Sequence, residues 1–177
     1  MTSKTYEAYE HVFTNNNGDT VVIKAPEGKN LLIQSENVYG IVSGDASETT
    51  FNITYKILDT YWNGTPVISG GDGSLTFSNG AFTVGVDGVY EISYSLGFVA
   101  SATGIRESAI IINQSLTDLY ARNNKLHSIT NASYNSGSCT LRLSAGDDIQ
   151  IVAYQNTGGP LNTDTSSKGF FTIARVG

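Results

Sequence analysis

Large and small side chains alternate along residues 82–98, FTVGVDGVYEISYSLGF. The large residues occupy every second position, with Glu, Ser or Gly between them; they are Tyr90, Ile92, Tyr94, Leu96 and Phe98. A period of two is typical of a β-strand that buries one face. The Asp87-Gly88 pair before this run suits a turn, because both residues tolerate positive φ. The pattern predicts a central strand of a β-sandwich.

Short apolar segments separated by turn-forming residues continue along the chain. We predict further strands at residues 51–57, 65–68, 75–77, 81–86, 89–99, 108–113, 138–143, 149–154 and 170–176. The connections are rich in Gly, Asn and Asp, as at Asn63-Gly64 and Asn79-Gly80. Only residues 116–125 are compatible with a helical turn. Short strands at this spacing predict an all-β sandwich or barrel.

The N-terminal part contains a short internal repeat. GDTVVIK (residues 18–24) aligns with GKNLLIQ (residues 28–34), and residues 38–42 form a weaker third unit. Residues 1–13 have no clear period and are interpreted as an arm that orders against a partner. The repeat is compatible with a β-hairpin on the main domain or with a stalk in which several chains wrap together. The polar run SGDASETT (residues 43–50) predicts a boundary, which gives an attachment segment at 1–46 and a head at 47–177.

Composition excludes several functional classes. The net charge of -6 and the lack of a basic run argue against a nucleic-acid partner. Cys139 is the single cysteine, so no intrachain disulfide is possible, and its phase with Leu141 and Leu143 predicts a buried thiol. No signal peptide and no run long enough to span a bilayer is expected. Only 15% of residues are charged, as in many secreted and virion proteins.

Two late strands are apolar on both faces. In residues 109–112, Ile110 and Ile112 oppose Ala109 and Ile111; in FFTIARV, Phe171 and Ile173 oppose three other apolar residues. A strand in a two-layer sandwich needs one buried face, so we expect another subunit to cover the second. The predicted subunit contacts are Ile111, Phe170, Ala174 and Val176.

The order of these motifs resembles the C1q and tumour-necrosis-factor group of trimeric jelly rolls. The resemblance rests on Phe82 with Asp87 to Tyr94, on Leu141, Leu143 and the Gly146-Asp147 pair with Ile149, and on Gly169-Phe170-Phe171. It spans about residues 47–177 and implies a C1q/TNF-like jelly-roll β-sandwich that forms a homotrimer. The collagen-like stalk of cellular members is absent, and residues 61–78 have no counterpart. A jelly-roll head on a β-rich stalk is similar to the fibre and spike proteins of viruses.

Two regions are candidate recognition loops, because aromatic rings beside amides suit sugar or protein surfaces. The candidate ligand-binding residues are Tyr61, Trp62, Asn63, Arg122, Asn124, His127 and Tyr134. In the alternative interpretation Trp62 fills one end of the sandwich. Weak calcium candidates, which are otherwise solvated turn residues, are Asp72, Asp147, Asp148 and Asp164. No catalytic motif is present, and His11 and His127 lie far apart in the sequence.

Our leading hypothesis is a non-enzymatic, homotrimeric protein of the virion surface. Its head loops attach to a host-surface protein or glycan, and its N-terminal segment contacts another virion protein. We expect no cofactor other than calcium and no insertion into a membrane. The alternatives are a secreted C1q-like recognition or signalling module of a cell, and a carbohydrate-active enzyme domain.

Overall fold

The computed structural model describes residues 10–14, 20–24, 38–44, 46–70, 74–128, 130–166 and 169–177. It describes only the backbone of residues 10–14, 20–24, 127 and 128. These residues form strands and turns without a helix, so no described helix could cross a membrane. The chain divides into two compact units, Met1–Glu36 and Asn37–Gly177. In the first unit, β1 (Glu10–Thr14) pairs antiparallel with β2 (Thr20–Lys24).

The second unit contains the remaining strands. They are β3 (Tyr39–Gly44), β4 (Thr49–Thr50), β5 (Lys56–Ile57), β6 (Val67–Ser69), β7 (Leu75–Ser78), β8 (Ala81–Val84), β9 (Gly88–Phe98), β10 (Ser101–Ile112), β11 (Tyr120–Ser128), β12 (Ser133–Leu143), β13 (Asp148–Gln155), β14 (Leu161–Asn162) and β15 (Gly169–Arg175).

Two antiparallel sheets form the sandwich. The front sheet has the order β12-β9-β15-β3-β6, and the back sheet has the order β11-β10-β13-β8-β7, with β5 also paired to β13. The short strands β14 and β4 pair separately. The longest continuous pairing joins β9 to β12, from Gly88 opposite Leu143 to Phe98 opposite Ser133. The all-β jelly-roll sandwich is therefore confirmed.

The alternating residues of β9 form the centre of the core. Its five large side chains, Tyr90 to Phe98, are all buried, and they pack with Ile110, Ile149 and Ile151 from the back sheet. Burying one such side chain contributes about 1.5–3 kcal/mol. Cys139 is half-buried against the same core, and burial raises the pKa of its thiol.

The boundary between the two parts lies earlier than expected. The second compact unit begins at Asn37, not at residue 47, because β3 pairs with β15 along its whole length. Val42 of β3 is buried in the core, and a Cβ at Gly40 would lie only 2.5 Å from Cε1 of Phe82. Residues 38–42 thus belong to the sandwich and are not a third stalk repeat. The second repeat, residues 28–34, lies outside the described residues, and part of the expected arm is strand β1.

Residues 116–125 do not form the helical turn that we expected, because β11 begins within them at Tyr120. This strand lies at the edge of the back sheet and has an irregular register opposite Ser108 and Ile110 of β10. Ala121 has a φ of 48°, and its carbonyl accepts a hydrogen bond of 3.1 Å from the Tyr94 hydroxyl. Asn135 donates to the carbonyl of Asn123 at 3.3 Å. Side chains from the front sheet therefore occupy part of the open edge of β11.

The second apolar face of β10 is covered by the same chain. Ala109 and Ile111 form a small cluster with Val152, against which Tyr55, Ile57 and Leu119 pack. Ile111 is fully buried, so its prediction as a subunit contact was wrong. A strand was expected at residues 51–57, but its pattern did not show that Tyr55 and Ile57 cover this face, which follows from the pairing of Ile57 with Val152 of β13. In β15, by contrast, Phe170 remains on the surface, as does Val176 beyond the strand, and Ala174 is half-buried.

Candidate functional site

Tyr61 and Trp62 lie in the core, so the prediction that they bind a ligand was wrong. Both side chains are buried, with ring centroids 4.7 Å apart in an edge-on arrangement, and the Trp62 ring also contacts Phe171. Gly44 makes room for them, because a Cβ there would lie 2.4 Å from Cε1 of Tyr61. Of this predicted loop, Asn63 is exposed.

A buried carboxylate orients the turn that carries these two rings. Glu48 accepts hydrogen bonds from the backbone N–H groups of Thr60 at 3.1 Å and Tyr61 at 2.7 Å. Lys56 approaches the other oxygen of the same carboxylate, with 2.9 Å between Nζ and Oε1. Because a buried charge needs partners, these three contacts make Glu48 a structural residue. No pattern in the sequence identifies Glu48 as such a residue.

A second buried carboxylate, Glu107, lies on the outer face of the back sheet and is only 1% exposed. Arg122 contacts both of its oxygens, with Nε 2.7 Å from Oε1 and Nη2 2.7 Å from Oε2. The Tyr55 hydroxyl also donates to Oε1. Burial, followed by this hydrogen bond and the charge of Glu107, raises the pKa of Tyr55 to about 12. The hydrogen bonds to Glu107 raise the pKa of the Arg122 guanidinium.

Strand register places two further polar side chains beside this carboxylate. Asn124 of β11 and Tyr154 of β13 lie on either side of Glu107, and the Tyr154 ring is 5.1 Å from that of Tyr55. Asn124 is exposed, and the side chain of Arg122 is 54% exposed. The Glu107 cluster consists of Tyr55, Glu107, Arg122, Asn124 and Tyr154. On one surface it combines the two tyrosine rings, the guanidinium of Arg122 held by Glu107, and the exposed amide of Asn124.

The outer face of the front sheet is unusually apolar. Phe170 and Ala174 point outward from β15, and strand register places Ile41, Tyr39 and Val67 beside them on β3 and β6. The exposed fractions are 41% for Tyr39, 40% for Ile41, 55% for Val67 and 41% for Phe170. Small hydroxyl residues fill the rest, and Ser93 and Thr172 are hydrogen-bonded at 2.7 Å. We call this surface, Tyr39, Ile41, Val67, Ser93, Ser95, Phe170, Thr172 and Ala174, the front face.

The arrangement of the two sheets matches solved structures. The chain superposes on the crystal structure of murine APRIL at pH 5.0 with a TM-score of 0.56 and 16% identity, covering 80% of this chain and all of that one. It superposes on Eiger TNF from S. frugiperda with a TM-score of 0.55 and 13% identity, covering 81% of this chain and 94% of the other. The chain has the C1q/TNF-like jelly-roll fold. No protein-family model matches the sequence.

A relative of this jelly-roll chain occurs in a virus. An uncharacterized protein of Acanthamoeba polyphaga mimivirus is 34% identical over 112 residues, which is 62% of this chain and 48% of that protein. The chain therefore spans about half the length of the curated relative that it matches.

The remaining candidates of the jelly roll do not form one site. Tyr134 is half-buried on β12 of the front sheet, and its hydroxyl donates to Asp164, as does the Ser166 hydroxyl at 2.7 Å. Arg122 and Asn124 lie on β11 of the back sheet, and the side chain of His127 lies outside the described residues. Among the candidates whose side chains the structure describes, only Arg122 and Asn124 are thus brought together. Their partners Tyr55, Glu107 and Tyr154 were not predicted from the sequence. A charged residue such as Glu107 next to an apolar strand segment could have indicated a buried ion pair.

The acidic turn residues accept hydrogen bonds from the protein itself. Asp147 accepts from Asn113 and from the backbone N–H of Ser144, each at 2.8 Å, and Asp148 accepts from Thr83. Burial would raise the pKa of Asp164, but hydrogen bonds from Ser166 and Tyr134 outweigh it and lower the pKa. Asp72 is outside the described residues. Among the residues that the structure describes, no group of three or more His, Cys, Asp or Glu side chains is arranged to hold a metal ion.

Proposed function

We propose that this chain forms a homotrimeric virion protein whose jelly-roll head attaches the particle to a host-surface protein or glycan. The observation that carries the homotrimer is the front face. Four large apolar side chains remain 40–55% exposed there, on a sheet whose other outward residues are mostly small. Contiguous apolar surface of this kind marks a protein interface. Covering the exposed part of each large side chain contributes about 0.6–1.7 kcal/mol.

A second copy of the same chain is the occupant that fits this surface. Small Ser, Thr and Ala residues on this surface permit close approach of another subunit. The cross-strand neighbours of Phe170, Thr172 and Ala174 on β3, β9 and β12 include one acidic residue, Glu91, so a second copy would meet little negative charge there. The resemblance to trimeric jelly rolls supports a closed ring of three copies, which is a heterologous arrangement that leaves no open interface.

The N-terminal unit supports the same assembly. The hairpin β1–β2 has only two strands, and a lone two-stranded hairpin is at best marginally stable in water. Its second strand contains three consecutive apolar residues, Val21, Val22 and Ile23. Three such hairpins wrapped together would cover these residues and form a short stalk. This stalk is the part that we assign to attachment at another virion protein.

The viral setting is supported by the mimivirus relative, and low charge suits a surface exposed outside the cell. A secreted recognition module of a cell is the second candidate, because murine APRIL shares the fold. Enzymatic hydrolysis of sugars would need two facing carboxylates. The buried carboxylates Glu48 and Glu107 are instead each paired with a cation.

The trimer is tested by size-exclusion chromatography with multi-angle light scattering on the full chain. We expect three times the chain mass of 18.9 kDa. Phe170→Glu should convert the trimer to monomers, because three carboxylates would be buried in the contact. Phe51→Glu is the matched control, since Phe51 is 55% exposed and lies outside the front face. A wild-type monomer at micromolar concentration would refute the assembly.

Attachment is tested separately by measuring how fluorescently labelled wild-type protein binds to Acanthamoeba cells. Saturable binding that unlabelled protein displaces is expected. Binding that does not saturate would contradict attachment. Equal binding of wild type and Phe170→Glu at the same concentration would contradict attachment by a multivalent head.

A further inference from the structure

The guanidinium of Arg122 is only partly used by its contact with Glu107. An arginine has five N–H donors, and Glu107 takes the one on Nε and one on Nη2. The second N–H of Nη2 and one N–H of Nη1 point in parallel from the other edge of the group. Two parallel donors are the geometry that binds a carboxylate through both oxygens. Nη1 forms no hydrogen bond or ion pair within the described part of the chain, and the side chain is 54% exposed.

This second pair of donors is held in a fixed orientation. Glu107 is 1% exposed and cannot rotate away, since Tyr55 and Arg122 occupy its oxygens. A guanidinium that is oriented before binding loses less conformational entropy when a ligand arrives. The site is therefore preorganised for an anionic group that approaches from solvent.

The surroundings indicate which anion fits. Strand β11, YARNNKLHS, contains Arg122 and Lys125 and no acidic residue, in a chain whose net charge is -6. Asn124 offers an exposed amide on the same face as Arg122, two positions away. The half-buried rings of Tyr55 and Tyr154 provide apolar surface beside these polar groups. Apolar ring faces next to an amide and a carboxylate-binding fork suit a sugar ring that bears a carboxylate.

We propose that the Glu107 cluster binds a carboxylate-bearing sugar, of the sialic acid or uronic acid type. This inference rests on the proposed attachment function and names the chemical class of its ligand. Because Glu107 cancels much of the charge of Arg122, each site binds weakly. Three sites on one head then act together through their high effective concentration.

The test is binding of the full-length wild-type protein to polymers that carry N-acetylneuraminic acid, glucuronic acid or neutral glucose. The decisive variant is Arg122→Lys, which keeps the charge beside Glu107 but removes the second pair of parallel donors. We expect wild type to bind the N-acetylneuraminic acid or the glucuronic acid polymer, and Arg122→Lys to bind that polymer at least about tenfold more weakly, because charge-assisted hydrogen bonds are lost. Asn124→Ala, an exposed residue, should weaken binding in the same direction without affecting folding.

Lys125→Gln is the matched control, because it removes one positive charge from the same strand at a position whose side chain is not in the cluster. It should change affinity by less than about threefold. Equal losses in Arg122→Lys and Lys125→Gln, or equal binding of a sulfated polymer, would indicate general polyanion attraction and overturn the proposal. So would binding to an acidic peptide with none to either acidic sugar. If cells bind the protein but Arg122→Lys binds them equally, this inference fails while the attachment function stands.

Discussion

Replacing Tyr94 by Phe removes one hydroxyl from the middle of the sandwich. That hydroxyl lies 2.9 Å from the Ser108 hydroxyl and 3.1 Å from the Ala121 carbonyl, and Tyr94 is fully buried. It joins β9 of the front sheet to β10 and β11 of the back sheet. Ala121, whose carbonyl accepts the hydrogen bond from Tyr94, has a positive φ.

The cost of the change follows from the groups that it leaves behind. The Ser108 hydroxyl and the Ala121 carbonyl lose a partner inside the protein, and leaving a buried polar group without a partner costs about 1–3 kcal/mol. No cavity larger than one oxygen atom is created, so packing adds little. We expect Tyr94→Phe to lower the free energy of unfolding by about 2 kcal/mol.

Urea unfolding at neutral pH measures this difference, at one fixed protein concentration because oligomer stability depends on concentration. Ser108→Ala and the double variant complete a cycle that isolates the Tyr94–Ser108 contact. A loss below about 0.5 kcal/mol for Tyr94→Phe would show that the hydroxyl does not hold the sheets together, since ordinary surface changes fall within that range.

Two further predictions concern stability. Ile53 is a β-branched residue with a φ of 56°, and its side chain is 67% exposed. Because glycine adopts this conformation without strain, Ile53→Gly should raise the free energy of unfolding by about 1 kcal/mol in the same urea assay. A loss of stability would contradict strain at this position. The pKa of Asp164 is lowered in the folded state, so its ionised form contributes stability that is present above the unfolded pKa and lost as pH falls. Wild type and Asp164→Asn should therefore converge in stability below about pH 4, and a constant difference down to pH 2 would be the opposing result.

The central strand could be predicted because its pattern reports burial directly. The expected strand at residues 89–99 corresponds to β9, Gly88–Phe98, where each large residue faces the core. The family resemblance, which depended on this strand and on the Leu141 and Phe171 segments, led to the correct fold. Long strands with one buried face carry most of this signal.

Strand β11 was missed because its sequence obeys other constraints. It is an edge strand, so its outward residues are polar, and the irregular register near Ala121 breaks the period of two. Strand β3 was assigned to the stalk because its glycines weaken the pattern. Gly40 and Gly44 are small to admit the rings of Phe82 and Tyr61, which only the folded structure brings near.

The Glu107 cluster could not be assembled from sequence, since its partners are remote. Tyr55 is 52 positions from Glu107, and Arg122 is 15 positions away. Aromatic residues next to amides led to Arg122 and Asn124, and equally to Trp62. Local composition does not distinguish a ring that fills the core from one that covers a surface, because both environments favour aromatic side chains.

The two surfaces that matter for the proposed function lie on different sheets. The front face is the outer side of the front sheet, and the Glu107 cluster is on the outer side of the back sheet. The outer sides of a two-layer sandwich point in opposite directions, so a trimer that covers the first leaves the second open to solvent. Phe170→Glu should therefore lose avidity for an acidic sugar polymer but keep the affinity for a monovalent sugar, whereas Arg122→Lys should lose both and remain trimeric. Loss of monovalent affinity in a folded Phe170→Glu monomer would instead place the binding site at the contact between subunits.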